Sequence, residues 1–251
     1  MKILWRGIAG LALMLLVPAL VLGEQAPDVK KRLWTRAETV LALGLLGGAG
    51  VVSLFDEDIR HEVQRRERNT LNEAADGLNL LGNPATGLGL SALLWGAGLW
   101  REDRPLAETG KLAFEAVFLG QLATAAVKVG AGRKRPDDRE DAWSFRPFSL
   151  DKDYDAMPSG HTANAFAIAG VLSRRGEQPW LPWVCYGFAG LVGAARIQAD
   201  DHWASDVLVG ALAGELAARL VLRFHERHPE YFLGIGAMGD GGTGVELSWR
   251  W

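Results

Sequence analysis

A single cysteine, Cys185, leaves this chain of 251 residues without any intrachain disulfide, and its place in an apolar run gives it a packing role. An excess of positive charge is missing too. The 27 Lys and Arg stand against 30 Asp and Glu for a net charge of -3, which leaves no footprint for nucleic acid. No cysteine follows the apolar stretch near the N-terminus, which argues against a lipid-anchored lipoprotein. Repeats of solenoid type are absent. Before residue 230 no segment alternates apolar and polar residues with period two, which removes β-sheet from the main body.

What remains is a series of apolar segments parted by short polar ones, at 40–55, 85–100, 112–128, 163–172, 180–195 and 205–222. This pattern predicts an all-α fold, a helical bundle of about six core helices, and the length suits one sizeable core. Residues 1–23 read as an export signal, with Lys2 and Arg6 ahead of the apolar stretch 7–22; an uncleaved N-terminal anchor is the other reading. Residues 24–229 form the helical domain. In 230–251 the character changes: Val245, Leu247, Trp249 and Trp251 alternate with Glu246, Ser248 and Arg250 after a glycine-rich stretch, which predicts a short C-terminal β-hairpin lying on the helices. The charged connector 56–68 reads as a solvated helix.

Three clusters of phosphate-handling side chains lie within about 80 residues: Lys128 with Arg135-Pro136, then Pro158-Ser159-Gly160-His161, then Arg196 with His202 and Asp206. A phosphoryl group in transfer needs fixed positive charge, N–H donors, an in-line nucleophile and an acid for the leaving oxygen. Lys128, Arg135 and Arg196 supply three cations. Ser159 adds a hydroxyl at a helix start, where the amides of Gly160 and His161 point free N–H groups outward. With helical spacing, Asp206 lies four residues after His202 and is placed to orient its ring, which makes His202 the nucleophile of a phosphohistidine intermediate. His161, without so close a carboxylate, is the general acid. Taken singly, each cluster has a plainer reading: a helix cap, a basic loop, a structural His–Asp pair.

In this order and spacing, Lys-x6-Arg-Pro, Pro-Ser-Gly-His and Arg-x5-His-x3-Asp resemble the superfamily of type 2 phosphatidic acid phosphatases, bacterial acid phosphatases and vanadium haloperoxidases. The resemblance covers the middle third of the chain. It implies the same division of roles between the histidines, and catalysis without a metal or other cofactor. It implies a phosphorylated small molecule, a lipid phosphate or a pyrophosphate as substrate. A haloperoxidase holding vanadate in the same cradle is one alternative, and a catalytically silent envelope-binding protein is another. Two departures stand out: Ala195 where a serine commonly precedes the arginine, and Asp200-Asp201 just before His202, which place negative charge near the mouth.

The apolar segments are short for membrane spans, and those at 112–128 and 205–222 carry Glu115, Gln121, Glu215 and Arg219. Mean hydropathy is only +0.04. Against this stand the uncharged run at 77–100 and the basic residues at Arg101, Arg104, Arg174 and Arg175, which suit a membrane protein's cytoplasmic loops. The balance favours an exported bundle in the periplasm or cell envelope, soluble or peripherally attached, with an integral membrane protein as the alternative.

Overall fold

The computed structural model describes residues 33–65, 71–136, 141–228, 232–237 and 243–248. The proposed export signal lies outside them. Eight α-helices dominate the described residues: α1 (Arg36–Ser53), α2 (Asp56–Arg65), α3 (Leu71–Gly82), α4 (Pro84–Trp100), α5 (Arg104–Ala131), α6 (Gly160–Arg175), α7 (Leu181–Gln198) and α8 (Ala204–Arg227). The six expected core helices are α1 and α4 to α8. Beyond α8, the backbones of β1 (Phe232–Ala237) and β2 (Thr243–Ser248) run antiparallel, with Phe232 opposite Ser248 and Ile235 opposite Val245.

Local chemistry fixes the helix ends. Asn83 caps α4 by accepting from the Ala85 N–H, and Pro84 sits in the first turn, where its missing donor costs nothing. Asp103 caps α5 by accepting from the Leu106 N–H at 3.1 Å. At the other end of α5, Gly132 adopts φ 55, and a Cβ there would lie 1.8 Å from the Arg146 carbonyl oxygen. Only glycine lets the chain leave α5 in this direction.

The central helix is α6, which buries ten of its residues, Phe166 and Val171 among them, against α5, α7 and α8. Its contact with α8 is very close. A Cβ at Gly210 would meet the Ser159 carbonyl oxygen at 2.4 Å, and one at Gly214 would meet that of Ala163 at 2.1 Å. The spacing of these glycines, four apart on one face, lets the backbones touch and seats Ser159 directly on α8.

α6 and α8 run side by side in the same direction, whereas α1 runs antiparallel to α8. On α1, Leu41, Leu45, Ala49 and Val52 form a buried stripe against α8, while Val40, Leu43, Leu46 and Val51 on its other faces are exposed. Glu38, at the start of α1, pairs with Arg219 and Arg223 near the end of α8. Glu215 accepts from Arg219 Nε at 2.7 Å and from the Tyr186 hydroxyl at 2.7 Å, and Arg174 completes the cluster. The charges that counted against membrane spans therefore face the bundle interior, where they are paired. Glu115, on α5, is partly exposed and meets His225 at 2.6 Å.

Of the connector 56–68, the described part 56–65 departs from the solvated helix expected of its charges. α2 docks one face on the bundle: Asp56 is buried, Arg60 pairs with Asp200, and Gln64 donates to the Ile197 and Gln198 carbonyls. Its charges have partners far along the chain, which local periodicity does not reveal.

Candidate active site

Four helix ends converge at one end of the bundle. Lys128 stands in the last turn of α5, Ser159, Gly160 and His161 at the start of α6, Arg196 in the last turn of α7, and His202 in the turn before α8. Antiparallel packing of successive helices produces this meeting, as their order in the sequence implied. Arg135 joins from the loop after α5, held there by its N–H bond to the Asp153 carbonyl at 2.8 Å.

Ser159 is fully buried, and its hydroxyl accepts from Thr162 Oγ1 at 2.9 Å and from the Thr162 N–H at 3.4 Å. It is thus the cap that starts α6. Its own N–H donates to the Asp206 carbonyl at 3.0 Å, which ties the cap to α8. The Gly160 carbonyl accepts from Gln121 Nε2 at 2.9 Å.

His202 is almost wholly buried, and its Nδ1 lies 2.7 Å from the Ala156 carbonyl oxygen. A carbonyl only accepts, so Nδ1 carries the proton and Nε2 keeps its lone pair. Burial, followed by the charges of Lys128, Arg135 and Arg196, holds the ring's pKa well below the ordinary histidine value, against a smaller opposing effect of the Ala156 bond. The result is a neutral imidazole with one free nitrogen beside three cations. The same three cations surround His161, whose ring is half-buried and, among the described residues, has no hydrogen-bond partner.

The expected bond between Asp206 and His202 is not formed. α8 starts at Ala204, so His202 lies before the helix and does not share a face with Asp206. The Asp206 carboxylate instead accepts from Arg133 Nη1 at 2.7 Å and from the Trp203 N–H at 2.9 Å. It shapes the turn that carries His202 and does not touch the ring. Arg133 has its guanidinium between Asp206 and Asp56, the latter at 2.8 Å, and also donates to Ser205 and to the Ala142 carbonyl. Its Cζ stands over the Trp203 ring at 5.7 Å. Neither Arg133 nor Asp56 belongs to the sequence-derived site. Arg133 was hidden by its neighbours Lys134 and Arg135, since a basic loop gives no sign of which cation turns inward.

The three cations expected to bind phosphate already have partners. Arg135 Nε donates to Asp155 Oδ1 at 2.6 Å, and Lys128 Nζ lies 3.4 Å from Asp155 Oδ2 and also bonds the Asp155 carbonyl. Arg196 donates to Asp201 Oδ2 through Nη2 and to Asn79 Oδ1 at 2.7 Å through Nη1. Its Nε is buried and without a partner among the described residues, a donor free for a ligand oxygen.

Residues 110–230, which hold every one of the expected site residues, match the model of the PAP2 superfamily. A Porphyromonas gingivalis protein named lipid A 1-phosphatase is 36% identical over 105 residues, covering 41% of this chain and 20% of that protein. A Rhizobium johnstonii protein of the same name is 32% identical over 108 residues, covering 41% of this chain and 42% of that protein. The chain thus spans less than half the length of these curated relatives. Among solved structures, Aquifex aeolicus LpxE superposes with a TM-score of 0.52 at 27% identity, over 66% of this chain and 93% of that one. The first transmembrane PAP2 type phosphatidylglycerolphosphate phosphatase from Bacillus subtilis superposes with a TM-score of 0.57 at 21% identity, over 89% of this chain and 97% of that one, a likeness of fold. With the three motifs standing at one end of a matching helical bundle, residues 110–230 of the chain belong to the PAP2 superfamily.

Proposed function

We propose that this protein is a membrane-embedded phosphatase that removes phosphate from a lipid, without a metal, through a phosphohistidine on His202. The observation that carries this reading is the tautomer of His202: the Nδ1 proton is committed to the Ala156 carbonyl, leaving Nε2 nucleophilic beside Lys128, Arg135 and Arg196. The Nε2 lone pair attacks phosphorus, the bond from phosphorus to the leaving oxygen breaks, and His161 gives that oxygen its proton. A water then attacks phosphorus while His161 takes its proton, the phosphorus–nitrogen bond breaks with its electron pair returning to Nε2, and free phosphate leaves His202 in its starting state. The three cations neutralise the phosphoryl oxygens throughout, and the Ala156 carbonyl steadies the positive charge on the phosphorylated ring. His161 becomes a proton donor as phosphate oxygens offset the surrounding cations.

A lipid rather than a soluble ester is supported by the outer surface. Among the described residues, α1 and α5 are long and apolar enough to cross a membrane, and only 28% and 33% of their apolar windows are buried. Core helices of that composition would be covered. Exposed Leu90, Leu93 and Trp100 on α4 and Trp183, Val184, Phe188 and Leu191 on α7 extend the apolar surface around the bundle. The relatives named lipid A 1-phosphatase point to a phosphate monoester on a lipid headgroup. The C-terminal hairpin is proposed to lie beside the helical domain as an accessory element. A phosphate-release screen of purified protein in detergent tests the reading, with lipid phosphomonoesters, a polyprenyl pyrophosphate and aryl phosphates as substrates. Lipid monoesters are expected to be hydrolysed in the presence of EDTA; release confined to soluble esters, or halide oxidation with vanadate in its place, would overturn it.

A further inference from the structure

Two carboxylates span the three cations of the phosphate cradle. Asp155 bridges Lys128 and Arg135, and Asp201 bridges Arg196 and, at 3.4 Å, Arg135. Together they set two negative charges against three positive ones, the arrangement that a phosphate dianion would impose. We propose that Asp155 and Asp201 are an internal counter-anion that substrate phosphate must displace, so that the site selects phosphates carrying further binding energy from a lipid body and holds inorganic phosphate weakly.

Both carboxylates are set in place by the fold. Asp200 adopts φ 60 and is gripped by Arg60 through two bonds of 2.7 Å, while Gln64 fixes the preceding carbonyls. With Asp200 turned toward α2, the adjacent Asp201 faces the cradle. Its N–H donates to the Arg196 carbonyl at 3.2 Å, which keeps the pair together. Asp155 follows the short 3-10 turn Lys152–Tyr154 and is bracketed by bonds from the Arg135 N–H to the Asp153 carbonyl and from the Ala156 N–H to the Arg133 carbonyl. Burial works to raise the Asp155 pKa, but the contacts to Arg135 and Lys128 overcome it and keep the group below the ordinary carboxylate value, hence ionised.

The two sides of this arrangement differ in freedom. The side chains of Asp155 and Asp201 are 35% and 37% exposed, against 9% for Arg196, 20% for Lys128 and 32% for Arg135, so the contrast is sharpest at Arg196. The carboxylates can turn into water, while Arg196 and, less tightly, Lys128 stay held by the fold. A weakly held anion competes poorly with them, whereas a phosphate on an anchored lipid brings the binding energy of its remaining atoms to the exchange. Asp201 is also the departure in sequence that put an acid immediately before His202. The inference rests on the phosphatase reading for its substrate, but not for its phosphate chemistry.

The test uses the full chain in detergent micelles and the isosteric variants Asp201→Asn and Asp155→Asn. Binding of inorganic phosphate, read by titration calorimetry, is expected to tighten about 5-fold for each carboxylate neutralised, the scale of a partly exposed ion pair. Aryl phosphate kcat/KM is expected to rise relative to that for a lipid phosphate. A melting curve establishes that each variant is folded, and if one fails to fold the other decides. Phosphate affinity that is unchanged or weaker in a folded variant overturns the proposal, because it would mean that the acids only orient the cations. Calorimetry needs no turnover, so an inactive wild-type protein would count against the phosphatase reading and leave the phosphate measurement to judge the counter-anion separately.

Discussion

His202 has a consequence for stability as well as for chemistry. Its folded pKa is depressed, so below the ordinary histidine value, about 6.5, the unfolded chain binds a proton that the folded chain refuses. Its contribution to stability is therefore present above that pH and is lost as pH falls beneath it. A His202→Asn variant is expected to lose less melting temperature than the wild type between pH 7.5 and 5; parallel losses would contradict a buried neutral ring. At this scale the sequence was informative about residue type and poorer about partners. The motifs identified Lys128, Arg135, Ser159, Gly160, His161, Arg196 and His202 as one site, and the structure brings them to one end of the bundle. The role of Asp206 was misread because a four-residue spacing implies a shared face only inside a helix, and His202 lies two residues before α8 begins. The carbonyl that does engage the ring, that of Ala156, has no side-chain signature at all.

Single elements are tied together around Arg133, which joins α2, the loop after α5 and the start of α8 through Asp56 and Asp206. Arg133 and both carboxylates are buried, so removing the cation leaves two uncompensated negative charges facing each other. Arg133→Met is expected to destabilise the protein by about 3–5 kcal/mol, read as a lower melting temperature. Adding Asp56→Asn should recover part of that loss by removing one of the charges. A single variant that melts with the wild type, or a double variant no better than the single, would show that the triad does not support the site. Helix existence and order were legible in the sequence because six apolar segments stood apart with short breaks. The docking of α2 was not, since Asp56, Arg60 and Gln64 find partners 77, 140 and 133 residues away. Similarly, the charges at Glu215 and Arg219 weighed against a membrane span only until Tyr186, Arg174 and Glu38 were seen to enclose them.

For the molecule as a whole, the start of α1 and the active end lie at opposite ends of the bundle, and the outward apolar faces of α1, α4, α5 and α7 surround it. This geometry replaces the expectation of a soluble or peripheral bundle with the proposal of a membrane-embedded one. If the active end faces outside the cytoplasm, as the expected export implies, Asp153→Cys, made in a Cys185→Ala background, reacts with an impermeant thiol reagent in intact cells, while Glu102→Cys at the far end stays protected until the cells are opened. The reverse pattern would turn the bundle over, and release of the protein by alkaline carbonate would remove it from the bilayer. The central claim is that His202 attacks the phosphate of a lipid. Its most direct test is to mix purified protein with a lipid monoester bearing labelled phosphate and to quench within one turnover. The account predicts a label on the protein that is labile to acid and stable to base, present in wild type and absent from His202→Ala. Turnover without such a label, or a label that persists in His202→Ala, would contradict it.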